Sequence, residues 1–356
     1  MDAIHAELNG GATRRVRLAI IGCGAVTRLF HVGAAAAAGL EVVALVDADR
    51  ERARGLAESH EIGAIATDVD GIGVAFDAAI VATPSHLHAP ISMGLLERGI
   101  HVLVEKPMAI DRSSAVALVE TAERVGSQLH VGQMHRFFDH NRIVRDLLAD
   151  GALGSITDFS MQLGMVAAWT TATSYATDRR QAGGGILIDL GSHLLDLVHW
   201  WFGTTQLVSY RDDARGGVEA ECEIEVLVGG ESSDVRGTLS ISKLRSIGNR
   251  VCISGTDQWL ESDIGPGHVR LFPSGGSTRN RAAEPQVLGS ANPAYRDAFI
   301  RQLEAFAASV RGVAAPAVPA REVLPTLELI IRCYESRLPL VAPWEIDHDE
   351  SGVGIR

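Results

Sequence analysis

From Arg15 to about His135 short apolar runs alternate with segments of helical period. Val16–Ile21, Glu41–Val46, Asp77–Ala82, His101–Val104 and Gln128–Val131 read as strands, and Val26–Ala38, Asp49–Ser59, His88–Arg98 and Ser113–Val125 as helices. Strands alternating with helices of roughly 10–15 residues predict repeated βαβ units and a parallel sheet. The runs VRLAII (16–21) and FDAAIVA (76–82) are apolar almost throughout, as in strands buried on both faces. The first part of the chain is expected as a doubly wound α/β domain of Rossmann type.

Beyond residue 136 the rhythm changes. Asn141–Leu148 has helical period, Ser155–Val166 reads as a strand, and Gly183–Gly185 leads into a helix running to about Trp201. Gln206–Tyr210, Val218–Val228, Val235–Ile241, Arg250–Ser254 and Val269–Phe272 follow as strands with Gly, Asp and Ser between them. Contiguous strands joined by turns predict an open, mainly antiparallel sheet. Two helices, Tyr295–Val310 and Arg321–Ser336, close the pattern across a loop holding Pro316 and Pro319. The expected division is a polar tail at 1–14, a doubly wound α/β domain at 15–136, an α+β domain at 137–342 and a tail at 343–356.

A length of 356 residues agrees with two domains. Apolar residues at 46% and charged residues at 21% fit a folded chain rather than a disordered one. The net charge of −12 supplies no basic field for phosphates, so nucleic acid is not expected as a partner. No apolar run approaches the ~20 residues that span a bilayer, so no membrane is expected. Met1–Arg15 has no apolar core behind a positive end and does not read as a secretory signal. The four cysteines (Cys23, Cys222, Cys252, Cys333) form no CxxC pair, which suits a reducing cytoplasm better than a disulfide framework.

Residues 17–27 read RLAIIGCGAVT. A strand ends at Gly22, Gly24 follows, and a helix opens near Ala25 and Val26. Glycine permits the tight turn and a close backbone approach, and the helix N-terminus offers N–H groups and partial positive charge to a pyrophosphate. Thr27 stands where the usual pattern has a third glycine. The next strand ends in Asp47, 25 residues after Gly22. A carboxylate there binds ribose hydroxyls and repels a 2′-phosphate, so NAD is expected ahead of NADP. A helix cap is the competing reading of Asp47, and Arg50 nearby leaves room for a phosphate.

Two more stretches lie at carboxyl ends of expected parallel strands, where open α/β sheets bind ligands. One is Thr83-Pro84-Ser85-His86-Leu87-His88, the other Glu105-Lys106-Pro107. A surface ion pair before a turn proline also accounts for Glu105 and Lys106. Further on, Asp189 and His193 are four apart on an expected helix and so share one face, with Cβ atoms ~6 Å apart. An imidazole beside a carboxylate can cycle near neutral pH; an ordinary helix-surface pair has the same spacing. Asp196 and His199 on the same helix, and His86 with His88, raise a metal cluster as an alternative, but no cysteine stands at ligand spacing and no metal is expected.

GxGxxT, TPSHLH, EKP and GGGILIDLGSHLLDLVHWW (183–201), in this order, together with MHRFF (134–138), GALGSI (151–156) and CYESR (333–337), resemble the glucose–fructose oxidoreductase / inositol dehydrogenase / rhizopine catabolism (Gfo/Idh/MocA) family. The resemblance runs from about Val16 to Leu340. It implies Lys106, Asp189 and His193 as the catalytic set, His88 packed near the cofactor, and a cis peptide before Pro107. It also implies a homodimer or homotetramer built on the second sheet. Gln133, His135, Arg136, Trp169, Arg179 and Arg180 fall in stretches that flank the pocket in relatives; Arg136 and Trp169 are the expected substrate contacts among them, though each of the six reads more readily as structural or solvent-facing. Trp200 and Trp201 read as core.

These residues make chemical sense together. Neutral His193 can take a hydroxyl proton as hydride leaves carbon, Lys106 can stabilise the developing alkoxide, and Asp189 can orient His193 or hold a substrate hydroxyl. The expected activity is hydride transfer between NAD and a secondary hydroxyl of a sugar, sugar derivative or cyclitol. Two alternatives stay open: an NAD-dependent glycosidase of the same family, which releases reducing sugar without net NADH, and a cofactor-sensing regulator.

Overall fold

The computed structural model describes residues 15–166, 174–229, 234–273, 284–289 and 294–340. Its first sheet contains β1 (Arg17–Ile21), β2 (Glu41–Val46), β3 (Ala64–Ala66), β4 (Ala78–Val81), β5 (His101–Val104) and β6 (Leu129–Val131). They lie in the order β3-β2-β1-β4-β5-β6, and every pairing is parallel. Crossovers run through α1 (Val32–Ala37), α2 (Arg50–His60), α3 (His88–Glu97) and α4 (Arg112–Val125). Leu18, Ile20, Leu45, Ile80 and Leu103 are fully buried, as the apolar runs require. The strand order reverses between β1 and β4, which opens a crevice at their carboxyl ends.

After α5 (Asp139–Ala149), β7 (Ile156–Gly164), α6 (Arg179–Ala182) and α7 (Ser192–Phe202) come β8 (Thr205–Asp212), β9 (Glu221–Val228), β10 (Val235–Ser242), β11 (Gly248–Gly255), β12 (Gln258–Asp263), β13 (Val269–Pro273) and β14 (Gln286–Leu288). With β15 (Leu338–Pro339) these strands form a nine-stranded sheet, β14-β13-β12-β11-β7-β10-β9-β8-β15. Most pairs are antiparallel; β7 runs parallel to β10 in the middle, and β15 parallel to β8 at the edge. One face packs on α7 through Leu194, Leu197 and Val198 against Ile224, Val226, Leu239 and Ile241.

The last two helices do not belong wholly to the second sheet. Phe299, Leu303, Phe306 and Ala307 of α8 (Tyr295–Val310) join the first core. Along α9 (Ala320–Glu335), Val323 and Leu327 enter the first core, whereas Leu329, Ile330 and Cys333 enter the second. α9 therefore ties the two cores together.

Candidate active site

The first loop is shaped by one obligatory glycine and one open glycine. Gly22 has φ +99°, and a Cβ there would lie 2.4 Å from the carbonyl oxygen of Ala82 at the end of β4. Thr27, in place of the third glycine, is fully buried and donates from Oγ1 to the Gly22 carbonyl at 2.6 Å, closing the turn from inside. At Gly24 a Cβ would meet nothing within 4 Å. The helix opens at Ala25 and Val26, and Arg28 N–H makes the first return bond, to Gly24 O, at 3.0 Å. The earlier N–H groups head this helix end and favour an anion.

Asp47 closes the crevice at the end of β2. Its carboxylate accepts from Cys23 N–H at 2.8 Å, Asp49 N–H at 2.9 Å and Arg52 Nη1 at 3.0 Å. Of about four lone-pair positions on a carboxylate, one is left. The helix cap is Asp49, which accepts from Arg52 N–H, and the arginine that reaches Asp47 is Arg52 rather than Arg50. On the β4 side, the buried hydroxyl of Thr83 has no hydrogen-bond partner among the described residues, and Pro84 leads into the turn Ser85–Leu87. An open glycine, a helix N-terminus, a carboxylate with capacity left and an orphaned hydroxyl fit a dinucleotide.

His88 and Glu105 stand behind this surface. Both ring nitrogens of His88 lie 2.7 Å from carbonyl oxygens, of Pro107 and Thr83, so the ring straps the β4 and β5 ends together. Burial lowers its pKa although both carbonyls favour the charged form. Glu105 Oε1 accepts from His31 Nε2 at 2.8 Å, and the bare Cα of Gly132 leaves room for its carboxyl group. Burial would raise Glu105, but the hydrogen bond from His31 holds it below its ordinary value.

The Lys106–Pro107 peptide is cis, as the resemblance implied. Lys106 Nζ donates to Asp189 Oδ1 at 2.8 Å and to the Asp189 carbonyl at 2.9 Å. Lys243, just past β10, donates to Asp189 Oδ2 at 2.8 Å. Burial opposes charge on both partners, yet Asp189 holds Lys106 above its ordinary value, and Lys106 with Lys243 holds Asp189 well below the carboxylate range.

The helix carrying Asp189 and His193 has two parts. Asp189 lies in a π-helical segment, Leu187–Gly191, and His193 in the first turn of α7. Asp189 does not orient His193; Gln133 does, with Oε1 accepting from His193 Nδ1 at 2.9 Å. Gln133 Nε2 faces the Ser192 carbonyl at 3.5 Å, which turns Oε1 toward the ring. Nε2 of His193 then carries the free lone pair and has no partner among the described residues. His135 stacks on the ring with centroids 4.3 Å apart. Burial first, then His135 and Lys106, push His193 well below its ordinary value, so the imidazole is neutral at pH 7. Tyr175 stands in the same electrostatic neighbourhood; burial raises its phenol despite Lys106 nearby.

Other expected site residues stand elsewhere. Arg136 is 3% exposed, forked onto Asp196 at 2.8 and 2.7 Å and paired with Glu322 at 3.1 Å. Each of its three guanidinium nitrogens is taken by a carboxylate of the protein, which corrects the reading of Arg136 as a substrate ligand and explains Asp196 without a metal. Arg179 lies over the Tyr334 ring at 4.8 Å, and Arg180 is exposed. Trp169 lies outside the described residues. Among the described residues no cluster of three or more His, Cys, Asp or Glu is arranged to hold a metal, and no helix is long and apolar enough to cross a membrane.

The profile of an oxidoreductase family, NAD-binding Rossmann fold, matches residues 16–133, and that of the same family's C-terminal alpha/beta domain matches 145–338. The chain belongs to the Gfo/Idh/MocA family. It is an oxidoreductase whose first domain has the NAD-binding Rossmann fold. It is 31% identical over 194 residues to the D-glucoside 3-dehydrogenase of Escherichia coli (strain K12), covering 53% of this chain and 54% of that protein. Glucose-6-phosphate 3-dehydrogenase of Bacillus subtilis (strain 168) is 27% identical over 261 residues, 72% of this chain and 73% of that protein. The fold is also that of levoglucosan dehydrogenase in complex with NADH, with TM-score 0.79, 17% identity and coverage of 91% of this chain and 97% of that one.

Sequence reasoning missed Lys243, the hold of Gln133 on His193, and Tyr175. Lys243 carries only a faint signal, a cation directly after the alternating strand VRGTLSIS.

Proposed function

We propose that the protein oxidises a secondary ring hydroxyl of a sugar with NAD, and that the reacting group is the 3-hydroxyl of a glucose-type pyranose. NAD, when bound, accepts the hydride from the carbinol carbon. One observation carries the reading: an ammonium and a neutral imidazole stand in one electrostatic neighbourhood, the first held by Asp189, which lies one helical turn from His193. Asp189 holds Lys106 at 2.8 Å, and Gln133 holds His193 Nδ1 at 2.9 Å. Nε2 of neutral His193 is then the base for the hydroxyl proton. Lys106 has three N–H donors, two of them on Asp189, and the third stabilises the developing alkoxide. In reverse, protonated His193 returns the proton to the ketone.

Gly22, Gly24, Ala25, Val26, Asp47, Thr83 and Pro84 hold the dinucleotide, while His88 and Glu105 support that surface from behind. Asp47 favours NAD over NADP by repelling a 2′-phosphate, and Arg52 offsets part of that charge. Position 3 rests on the two relatives named as 3-dehydrogenases. The face of the second sheet away from α7, with exposed Glu223, Arg236 and Arg250, is assigned to contact between copies in a cytoplasmic dimer or tetramer; sedimentation as a monomer removes that assignment.

The test follows NADH formation with D-glucose, D-glucose 6-phosphate, methyl β-D-glucopyranoside and myo-inositol, with NADP in parallel and the product carbonyl located by NMR. A 3-keto product is expected. No reduction with any of the four, or a carbonyl at C1, overturns the reading. Reducing sugar released from the glucoside without NADH moves the protein to the glycosidase alternative.

A further inference from the structure

Lys243 does more than the reading above requires. Asp189 needs one lysine for neutrality and has two, delivered from different sheets: Lys106 on Oδ1 and Lys243 on Oδ2, each at 2.8 Å. Asp189 is thus the carboxylate shared by both ammonium groups, while Glu105, next to Lys106 in the chain, accepts from His31.

The donors divide unevenly. Each ammonium has three N–H groups. Lys106 spends two on Asp189, leaving one, which is what a single reacting oxygen takes. Lys243 spends one on Asp189 and, among the described residues, has two left. The Lys243 side chain is 29% exposed and that of Asp189 45%, so this partly covered corner keeps an opening to solvent. Its backbone is fixed: Lys243 N–H donates to the Ala220 carbonyl at 2.8 Å, and Leu244 and Arg245 N–H donate to Ser242 Oγ at 3.1 and 3.2 Å. Holding a long cationic side chain in one place costs conformational entropy. An acceptor for its remaining donors offsets that cost.

We propose that Lys243 is a substrate-binding residue that donates to the oxygen on the ring carbon next to the one oxidised. Adjacent hydroxyls on a six-membered ring present two oxygens side by side, and Asp189 holds two ammonium groups side by side for them. The site then selects a vicinal diol: an isolated secondary alcohol engages Lys106 and leaves Lys243 unpaired. This deepens the sugar-oxidation reading and rests on it.

The test compares the unsubstituted protein with Lys243→Met on methyl β-D-glucopyranoside and its 2-deoxy and 4-deoxy forms. With the unsubstituted protein, one deoxy sugar is expected to lose about 10–100-fold in kcat/KM, the scale of a lost hydrogen bond to a charged donor. Lys243→Met is expected to lose as much on the parent sugar but only about twofold more on that deoxy form, since each change removes the same bond. NADH binding, read by fluorescence, stays unchanged; if Lys243→Met fails to bind NADH, Lys243→Gln is carried through the same three sugars. Equal penalties on all three sugars mean that Lys243 acts only through Asp189, and the proposal is overturned. No NADH formed from any sugar by the unsubstituted protein overturns the sugar-oxidation reading itself, and this proposal with it.

Discussion

Two glycine runs each lead into a helix that opens with a π-helical stretch, and they do opposite things. At Gly22–Gly24 the second glycine faces open space, and the helix end beyond it is free to meet an anion. At Gly183–Gly185 the space is filled by the protein itself. A Cβ on Gly184 would lie 1.9 Å from the Tyr334 hydroxyl, and one on Gly185 would lie 2.0 Å from the Glu219 carbonyl oxygen. The anion at this second helix end is internal: Glu219 Oε1 accepts from Gly185 and Leu187 N–H at 2.9 and 3.1 Å and from the Tyr334 hydroxyl at 2.7 Å. The same local signal thus marks an open helix end in one place and a packed anchor in the other. The anchor matters for chemistry because the helix it starts carries Asp189 and His193.

The widest separation is expected from alanine at the two runs. Gly185→Ala forces Cβ into backbone and is expected to destabilise by about 3 kcal/mol, lowering the urea midpoint or abolishing the fold. Gly24→Ala is expected to keep stability, or raise it by about 0.5 kcal/mol, while weakening NADH binding about tenfold. Equal loss of stability at both sites breaks the comparison.

Next, Lys106→Ala and His193→Ala are each expected to lower kcat by about 100-fold or more, with the NADH dissociation constant little changed. Weak NADH binding in both variants, with turnover kept, would merge the two regions into one cofactor site. The pH profile sharpens the same point. Oxidation needs neutral His193, and its folded pKa lies well below the ordinary 6.5, so protonation sets in only as pH falls through that lower value. The acid limb of kcat/KM is expected below pH 6.5; a limb at or above it means that another group is the base. The smallest effect is expected from Asp47→Ser, which is to lower the NAD over NADP preference by about tenfold, the scale of one removed like-charge contact. An unchanged ratio leaves Asp47 as a brace for Cys23 and Arg52.

Much of the first sheet was legible because strands covered on both faces read as unbroken apolar runs, as in VRLAII. β3 carries no readable pattern with only three residues, AIA; β14 has three residues as well and β15 two. β12, QWLESD, was missed because Trp259 and Leu260 are both buried, which breaks the alternation that marks a half-covered strand. The division of α8 and α9 between two cores was also out of reach, since an apolar helical stripe states that it is covered and not by what.

The candidate site divides the same way. Glycines, Asp47, the Lys106 stretch and the Asp189/His193 spacing are local chemistry, and local order was enough to place them at strand and helix ends. Their pairings are not local. The i, i+4 spacing offered Asp189 to His193, but a carboxylate gains more from two ammonium groups than from a neutral ring, and folding brought Lys106 and Lys243 within 2.8 Å of it. His193 was left to Gln133, and Arg136 to Asp196. The chain alone determined which elements form and which reactive groups stand at their ends. The tertiary structure alone decided the partners, because the strength of an ion pair or hydrogen bond depends on distance and burial between residues far apart in sequence.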